Sequence, residues 1–530
     1  MKLLRTTNRT ILSVAMITAI VGCTSNQASG TDAASSKGTD SKSIASTATN
    51  ETKLPLANPP VTINYMVLDN PTSPVVATAP VMAELQKRTG VNFNFIKTDD
   101  SGYEDKFKIT LASGKLPDMM YATPVNMKLY GPQGAFLPLD DLLQKYGQNI
   151  LSAMKDRGIY NDMKAADGHI YGLPKIRESI MANAFMVRQD WLDQYGIKTP
   201  ENLDEFYTML KTIKEKDPAG NGSTIPLGVF GNPDTFHDIY SSFGADSTFF
   251  IKDGKMVYGP SMPQMKDALA YVHKLYADKL IDQDFSVLSK TQWQARGSSG
   301  QYGALIYNAQ RTDYFTQVLQ KQNPKAKMVA IAPLKGPDGK QVAVQQNLLG
   351  NVAVLSKDTK NPELLIKLFN YVFSPEGQTL MSYGINGDSY EMKDGKPTYT
   401  AKMYQKPENT TYQDVSHEYG MFGWVIPVNP TPKIDEELYK GTLTGDAVKL
   451  QNSYYLNTFP YPTLSFTDQE NVALKSKLTS IKDLTNQYQM KFITGQDTLD
   501  HWDDFINKLK TAGLDDVTKI YNDAYARYLK

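Results

Sequence analysis

The chain has 530 residues, 41% of them hydrophobic and 21% charged, so it can bury a sizeable core and is too long for one ordinary domain. Lysine plus arginine equals aspartate plus glutamate at 56 each, and the absence of a basic stripe argues against nucleic-acid binding. A single cysteine excludes a fold stabilised by disulfide bonds within the chain, so stability must come from the packing of the core.

The first 22 residues have the three parts of a secretory signal peptide. A basic head precedes an apolar run from Ile11 to Val21, and Gly22 follows as a small residue. The run is shorter than the roughly 20 apolar residues that cross a bilayer. We therefore predict that residues 1–22 direct export and are then removed.

The only cysteine follows this run directly. The sequence Ile20-Val21-Gly22-Cys23 resembles the lipobox of bacterial lipoproteins. The resemblance implies that Cys23 is lipidated on sulfur and becomes the mature N-terminus, which would hold the protein on the extracytoplasmic face of the cell membrane. A free thiol near the N-terminus is the alternative.

Residues 23–57 are predicted to form a flexible tether. They are rich in Ser, Thr, Ala, Gly, Asn and Lys, and only Ile44, Leu54 and Leu56 are large and apolar. Such a segment cannot bury enough surface to offset its ordering entropy. As a random coil of about 34 residues it would span roughly 30 Å, a reach that suits a protein anchored to a membrane.

The globular part opens with a pattern typical of an α/β domain. "VTINYMVLDNPTSP" alternates as a strand does, "APVMAELQKRTG" places apolar residues on one helical face and stops at Gly90, and "VNFNFI" alternates again. This order predicts a right-handed βαβ unit with parallel strands. "DKFKITLASGKLPDMMYA" predicts a further helix and strand.

Helix signals recur later in the chain. "ENLDEFYTMLKTIKEKDP" predicts a helix capped by Asn202 with Glu205, and "NPELLIKLFNYVFSPEGQTLMSYG" predicts two helices that start at Asn361 and Ser374 and stop at Gly384. The other predicted elements are the strands Ala184–Arg188, Ala304–Asn308, Met328–Pro333 and Asn351–Leu355 and the helical stretches Asn471–Lys491 and Leu499–Lys530. The chain contains no internal repeat.

Motifs for chemistry are missing from the sequence. There is no nucleophile elbow, no Walker A loop and no dinucleotide fingerprint, and the five histidines have no metal-ligand spacing. Carboxylates are plentiful, so a pair of catalytic carboxylates like that of a glycosidase stays an alternative. We expect a protein that is not an enzyme and needs no cofactor.

Several stretches resemble the large extracellular solute-binding lipoproteins (family 1) of sugar-importing ABC transporters. They are "DGHIYGLP" at 167–174, where such chains cross between lobes, "VRQDWLDQYGIKTPENLDEFYTMLKTIKEKDPAGNG" at 187–222, and "NPELLIKLFNYVFSPEGQTLMSYGINGDSY" at 361–390. The resemblance implies a periplasmic-binding-protein-like fold, in which two α/β lobes are joined by a multi-segment hinge and close on a ligand in the cleft between them. The expected boundaries are 1–22 for the signal peptide, 23–57 for the tether, 58–172 and 328–385 for lobe 1, and 173–327 and 386–530 for lobe 2 with a C-terminal helical part.

One loop departs from the family pattern. Near "DPAGNGSTIP" relatives resemble a calcium loop with alternating oxygen ligands. Here Asp217 and Asn221 remain, but Ala219 stands where a second carboxylate would be and the later acidic residues are missing. Calcium prefers 6–8 oxygen ligands. We expect a glycine-rich loop without a metal.

A sugar would be held by aromatic faces against its C–H surface and by fixed hydrogen-bond groups around its hydroxyl rim. Trp293 and Trp424 are the aromatic candidates, with a core role open for each, whereas Trp191 and Trp502 are expected to pack. The remaining candidates, several of them near predicted strand ends, are Asp69, Asp118, Tyr121, Tyr171, Arg188, Asn308 and Arg311. The arginines would suit an acidic sugar.

The predicted function is therefore that of a lipid-anchored extracellular solute-binding protein. It would capture an oligosaccharide by lobe closure, deliver it to the permease subunits of an ABC transporter, and act as a monomer. Two alternatives stay open, a surface glycosidase or lyase and a binding protein for peptides or another solute. The sequence does not specify which sugar is bound, its chain length or its charge, nor which permease receives it.

Overall fold

The computed structural model describes residues 53–69, 75–99, 101–177, 183–342, 347–405, 412–421, 425–431, 434–454 and 461–530. These ranges belong to one compact unit that begins at residue 52. The predictions for Cys23 and Trp424 concern residues outside the described ranges. No helix in those ranges combines the length and apolar character needed to cross a bilayer.

Strands and helices alternate along most of the described chain. The strands are β1 Val61–Asp69, β2 Val91–Asp99, β3 Met119–Ala122, β4 Gly172–Ile176, β5 Asn183–Arg188, β6 Ile225–Gly228, β7 Phe249–Lys252, β8 Lys255–Tyr258, β9 Tyr302–Asn308, β10 Met328–Ala330, β11 Leu349–Leu355, β12 Tyr390–Lys393 and β13 Lys396–Tyr399. The helices are α1 Pro80–Thr89, α2 Tyr103–Ser113, α3 Pro124–Tyr130, α4 Asp140–Tyr146, α5 Gln148–Asp156, α6 Gln189–Tyr195, α7 Leu203–Lys216, α8 His237–Ser242, α9 Pro263–Ala277, α10 Lys290–Ser298, α11 Thr312–Gln320, α12 Pro362–Val372, α13 Pro375–Tyr383, α14 Ala401–Tyr404, α15 Tyr412–Glu418, α16 Ile434–Leu438, α17 Leu443–Ser453, α18 Asp468–Thr494, α19 Trp502–Thr511 and α20 Leu514–Tyr528.

Two separate sheets define two lobes. The sheet of lobe 1 has the strand order β2-β1-β3-β11-β4, in which β1 runs parallel to β2 and β3 while β11 runs antiparallel to β3 and β4. The sheet of lobe 2 has the order β10-β5-β9-β6, in which β6 runs parallel to β9 and β5 runs antiparallel to β9 and β10. The predicted two-lobed α/β fold is confirmed.

Each lobe has its own hydrophobic core. One buried cluster extends from Ile63 to Tyr439 and belongs to lobe 1. Two others, which include Phe185 and Met186 of β5, belong to lobe 2, and helices α18–α20 complete the larger of them. We therefore call the described residues of 53–176 and 349–439 lobe 1, and the described residues of 183–342 and 443–530 lobe 2.

Local signals explain why the predicted helices form where they do. In α7 the Asn202 side chain accepts a hydrogen bond from the Glu205 N–H at 2.9 Å, as the cap pattern predicts. Its stripe of Leu203, Phe206, Leu210 and Ile213 is buried, which stabilises the fold by about 1.5–3 kcal/mol per side chain. The helices α12 and α13 also form, but Asn361 makes no capping bond and only Ser374 does.

Residues 53–57, which the sequence assigned to the tether, are part of the fold. The N–H groups of Leu56 and Ala57 donate to the Thr89 carbonyl at 2.8 and 3.1 Å, and Leu54 packs with Leu56 against the core of lobe 1. Gly90 has φ 71°, and a Cβ there would lie 2.0 Å from the Ala57 carbonyl oxygen. Residues 53–57 therefore belong to lobe 1, because the two leucines bury apolar surface there.

The predicted lobe boundaries are also corrected. Residues 328–330 form β10, which pairs with β5, so this stretch stays in lobe 2 and the return to lobe 1 begins only at Leu349. The described residues of 386–439 lie in lobe 1, since Tyr399 and Met403 join its core. The chain thus passes from lobe 1 to lobe 2 between Ile176 and Asn183, returns to lobe 1 between Val342 and Leu349, and enters lobe 2 again between Tyr439 and Leu443; we call these connections the three crossings.

Candidate functional site

The first crossing shows which edges of the two sheets face each other. β4 ends at Ile176 and β5 begins at Asn183, so the carboxyl end of β4 and the amino end of β5 lie at the edges that the crossing joins. Both β3 and β4 run antiparallel to β11, and β9 runs antiparallel to β5. The carboxyl ends of β3 and β9 therefore lie at these same edges, where open α/β sheets bind ligands.

An aromatic cluster, which we call the triad, lies at the cleft edge of lobe 2. Phe230 follows β6, Tyr307 is near the end of β9, and Trp293 comes from α10. The Trp293 ring centroid is 4.9 Å from that of Phe230 and 4.7 Å from that of Tyr307. Phe230 and Tyr307 are half-buried, whereas Trp293 is only 1% exposed. The two half-buried rings can contact a ligand, and the buried Trp293 ring packs against both of them.

The position of α10 is fixed by charge and by capping. Ser289 and Gln292 form a reciprocal capping box at its start. Arg296 near its end donates to Asp282 at 2.6 and 2.8 Å and to Asp284 at 2.7 Å. The Tyr302 hydroxyl also donates to Asp282, at 2.7 Å. These contacts hold the helix that carries Trp293 before any ligand arrives.

Polar side chains accompany the triad at the same edge. Asn308 is half-buried and its Oδ1 accepts from the Gln310 N–H at 2.9 Å. Arg311 is exposed, with its guanidinium 5.8 Å from the Tyr314 ring. Asn183, which the sequence did not single out, pairs with Asn308 across the strands and is exposed. The structure thus brings the predicted Asn308 and Arg311 together beside the triad.

Lobe 1 presents Tyr121 and Asp69 at the facing edge. Tyr121 is buried on β3, its hydroxyl accepts from the Asn351 amide, and its ring meets Tyr103 edge-on at 5.6 Å. Asp69 ends β1, where it accepts from the Val75 N–H at 2.9 Å and lies 3.4 Å from the Lys97 ammonium. Asn351 is half-buried and is the lobe 1 amide that the sequence did not single out.

Three predicted site residues lie at the opposite edges of their sheets. Asp118 precedes β3 and binds the Asn64 N–H at 3.0 Å. Arg188 ends β5, is 3% exposed, and pairs with Asp190 at 2.6 Å. Tyr171 precedes β4 and donates to Asp167 at 2.6 Å. The direction of each strand places these three residues away from the crossing, so they do not join the candidate site.

The four tryptophans divide as follows. For Trp293 the sequence left both a ligand contact and a core role open, and the structure packs it among Phe230, Tyr307 and other rings of lobe 2. Trp191 and Trp502 are 4% and 6% exposed, which confirms their predicted packing roles. Trp424 stays a prediction.

The calcium-like loop satisfies its own polar groups. The Asp217 carboxylate accepts from the Gly222 N–H at 2.7 Å and from the Thr224 N–H at 3.2 Å, while the Thr224 hydroxyl accepts from the Ala219 N–H at 2.9 Å. Hydrogen bonds from Thr224 and Gly222 lower the pKa of Asp217. Within the described ranges, three or more metal-ligating side chains nowhere come together. The residues present do not fit a calcium site.

We therefore expect calcium and chelators to leave the melting temperature of the full chain unchanged within about 1 °C, since a ligand that does not bind adds no stability. Differential scanning fluorimetry with millimolar calcium, and separately with EDTA, measures this. A calcium-dependent rise that disappears in the Asp217→Asn variant would contradict the assignment of a metal-free loop.

The two sheets, each with its own core, and the three crossings between them define a two-lobed α/β protein. Residues 70–379, more than half of the chain, match the family model described as bacterial extracellular solute-binding protein. The chain belongs to that family, as its sequence predicted.

Individual relatives agree with this assignment. Lipoprotein LipO of Bacillus subtilis (strain 168) is 29% identical over 334 residues, which cover 60% of this chain and 65% of LipO. The fructooligosaccharide ABC transporter substrate-binding protein FusA of Streptococcus pneumoniae serotype 4 is 24% identical over 502 residues, which cover 88% of this chain and 90% of FusA. The crystal structure of the alginate-binding protein AlgQ2 without calcium ion has a TM-score of 0.73 at 23% identity, covers 89% of this chain and 99% of AlgQ2, and supports the fold.

Proposed function

We propose that the protein captures an oligosaccharide in the cleft and delivers it to the permease of an ABC importer. The observation that carries this proposal is the pair of half-buried rings, Phe230 and Tyr307, backed by Trp293 at the edge that faces lobe 1. Sugar rings present apolar C–H faces that pack on such rings. At the same edge Asn308 would bind the hydroxyl rim of the sugar, and Arg311 would bind a carboxylate where the sugar carries one.

The ligands for which two relatives are named represent a neutral and an acidic class of sugar. FusA is named for fructooligosaccharides, which are neutral, and AlgQ2 for alginate, which is acidic. The triad suits either kind of sugar. An exposed guanidinium at Arg311 favours a carboxylate-bearing sugar, because arginine pairs with carboxylates in bidentate geometry.

The proposed location is the extracytoplasmic face of the cell membrane. Residues 1–22 have the pattern of a signal peptide, and Cys23 ends a lipobox-like sequence. The similarity to a lipoprotein, LipO, supports this reading. Lipid on Cys23 would keep the binding protein near its permease. The protein would act as a monomer and carry out no reaction on its ligand.

A thermal-shift screen tests the proposal. The full chain would be heated with fructooligosaccharides, alginate oligosaccharides or short peptides, and each glycan would be recovered and sized. A ligand at about 100 times its dissociation constant should add about 2.7 kcal/mol to stability. A shift with one glycan series and an unchanged glycan is the expected result. A shift with peptides alone would contradict the sugar ligand, and a shortened glycan would favour an enzyme.

Arg311 distinguishes the two sugar classes. Arg311→Gln should weaken binding of alginate oligosaccharides by roughly tenfold, since a hydrogen bond to a charged group contributes about 1.5–3 kcal/mol, and should leave fructooligosaccharide binding unchanged. Titration calorimetry measures both. Lys327→Gln is the matched control, because Lys327 is exposed and precedes β10 at the opposite edge of the same sheet. Equal weakening for both sugars would contradict a carboxylate-binding role.

A further inference from the structure

A three-residue segment of lobe 2, Tyr461–Thr463, which we call the strap, is bound by side chains of lobe 1. The Thr463 N–H donates to the Asp162 carboxylate at 2.7 Å, and the Lys128 ammonium donates to the Thr463 carbonyl. Lys128 and Asp162 are 5% and 4% exposed. Both polar main-chain groups of Thr463 are therefore held by buried, charged groups of lobe 1, where charge-assisted bonds are strong.

The other end of the strap is bound inside lobe 2. The Tyr461 hydroxyl donates to the Asp246 carboxylate, which is fully buried. His237 Nε2 lies 2.9 Å from the same carboxylate, and the Thr248 N–H donates to it at 2.9 Å. The Tyr461 ring packs against the small apolar cluster of Phe250. The Tyr461 side chain is thus part of lobe 2.

Only Pro462 separates these two attachments. Consecutive Cα atoms are 3.8 Å apart, so the two attached residues are at most about 7.6 Å from each other. The proline ring fixes φ near −65° and removes one of the few torsions that could change. The lobes can therefore rotate about the strap but cannot separate there without breaking one attachment.

Asn347 joins the strap to two of the crossings. Its Nδ2 donates to the Tyr461 carbonyl at 3.0 Å and to the Thr463 hydroxyl at 2.9 Å. Its Oδ1 accepts from the Leu349 N–H at 2.8 Å, which fixes the start of β11. Its carbonyl accepts from Arg177 at 3.1 Å, and Arg177 follows β4 at the first crossing. One side chain and its main chain therefore connect three separate segments between the lobes.

We propose that the strap, held by Asn347, is the pivot about which the two lobes close. The inference rests on the proposed function, since closure is how such a protein captures its ligand, and it names the residues that position one lobe against the other. Asn347, Tyr461 and Thr463 are positioning residues that need not touch the sugar. When their bonds are removed, the lobes should sample a wider range of separations even with no ligand present.

Distance measurements between spin labels test the pivot without any ligand. Labels on cysteines at Ile109 of lobe 1 and Val287 of lobe 2, which are 64% and 80% exposed, would report the separation in a full chain carrying Cys23→Ser. The Asn347→Ala/Tyr461→Phe variant should widen the distance distribution about twofold, because the lobes lose polar attachments on both sides of Pro462. Tyr399→Phe is the matched control, since its hydroxyl donates to the Ser382 carbonyl at 2.7 Å within lobe 1, and it should change nothing.

A second pair of labels, at Ile109 and Val125, lies within lobe 1 and reports its folding. If the distance distribution of this pair also widens in the double variant, lobe 1 itself is disturbed. The pivot is then tested with the single variant Tyr461→Phe, which removes one hydroxyl and keeps the ring. An interlobe distribution equal to that of Tyr399→Phe would overturn the pivot. Since no ligand is present, that result would leave the sugar-binding proposal standing, and a failed sugar screen would leave the pivot standing.

Discussion

Replacing Tyr307 by alanine should weaken oligosaccharide binding by roughly 30-fold, which corresponds to about 2 kcal/mol. Tyr307 is half-buried against Trp293 at the cleft edge of lobe 2, so its ring can cover one face of a sugar. The loss should appear as faster release of the ligand, because the contact forms only in the complex. Titration calorimetry well below the melting temperature measures the affinity.

The matched control for this variant is Tyr276→Ala. Tyr276 is also a half-buried tyrosine of lobe 2, but it lies on α9 against Phe285, at 6.1 Å between ring centroids, and outside the triad. It should lower stability to a similar extent and keep the affinity for sugar. If both variants bound sugar with wild-type affinity, the triad would not be the binding surface.

The second large effect concerns the buried carboxylate that holds α10. Asp282→Asn should lower the free energy of unfolding by about 3 kcal/mol, because the neutral amide loses the buried charge that strengthens the bonds from Arg296 and Tyr302, and hydrogen bonds to a charged group contribute about 1.5–3 kcal/mol. Asp282 is 2% exposed and accepts two bonds from Arg296 and one from Tyr302. The expected loss stays below the sum for three such bonds because Arg296 is 29% exposed. Urea unfolding measures the change.

Asp284→Asn provides the comparison on the same arginine. Asp284 is 58% exposed, and exposed ion pairs contribute about 0–1 kcal/mol. Because Arg296 and Trp293 share α10, Asp282→Asn should also weaken sugar binding more than Asp284→Asn does. Equal losses of stability in the two variants would contradict the view that burial makes Asp282 the dominant partner.

Much of the fold could be predicted because its signals are local. The cap at Asn202, the stop at Gly90 and the apolar stripe of α7 depend on residues a few positions apart. The alternation in β1 and β2 likewise predicted two strands, and these pair in parallel as expected. Such patterns need no knowledge of the rest of the chain.

The edge that a residue occupies could not be predicted in the same way. Arg188 and Asn308 both end a strand, yet the antiparallel pairing of β5 with β9 places them at opposite edges. Asp118 lies at the wrong edge because it precedes β3 and does not follow it. Strand direction within a sheet depends on partners far along the chain, and single strands carry no signal for it.

The sequence allowed only part of the triad to be predicted. Trp293 was singled out by its type, but its burial depends on Phe230, which follows β6, and on Tyr307 of β9. Tyr307 directly precedes the predicted Asn308 at the end of β9, and this position next to a strand end could have identified Tyr307 as a site residue. An aromatic residue at the carboxyl end of a strand is a stronger candidate than a tryptophan on a helix.

The boundaries between lobes were misplaced for a similar reason. β10 has only three residues, and its pairing with β5 decides that it belongs to lobe 2. The stretch 386–439 has weak periodicity, and the placing of its described residues in lobe 1 depends on packing by residues such as Tyr399. Neither property follows from local patterns.

The most direct test of the central claim is small-angle X-ray scattering of the protein titrated with the oligosaccharide that raises its melting temperature. A binding protein that captures its ligand by closure should show a radius of gyration that falls along a saturable curve, and the glycan should be recovered intact. A radius of gyration that does not change at saturating glycan, or a glycan that shortens during the titration, would contradict the account.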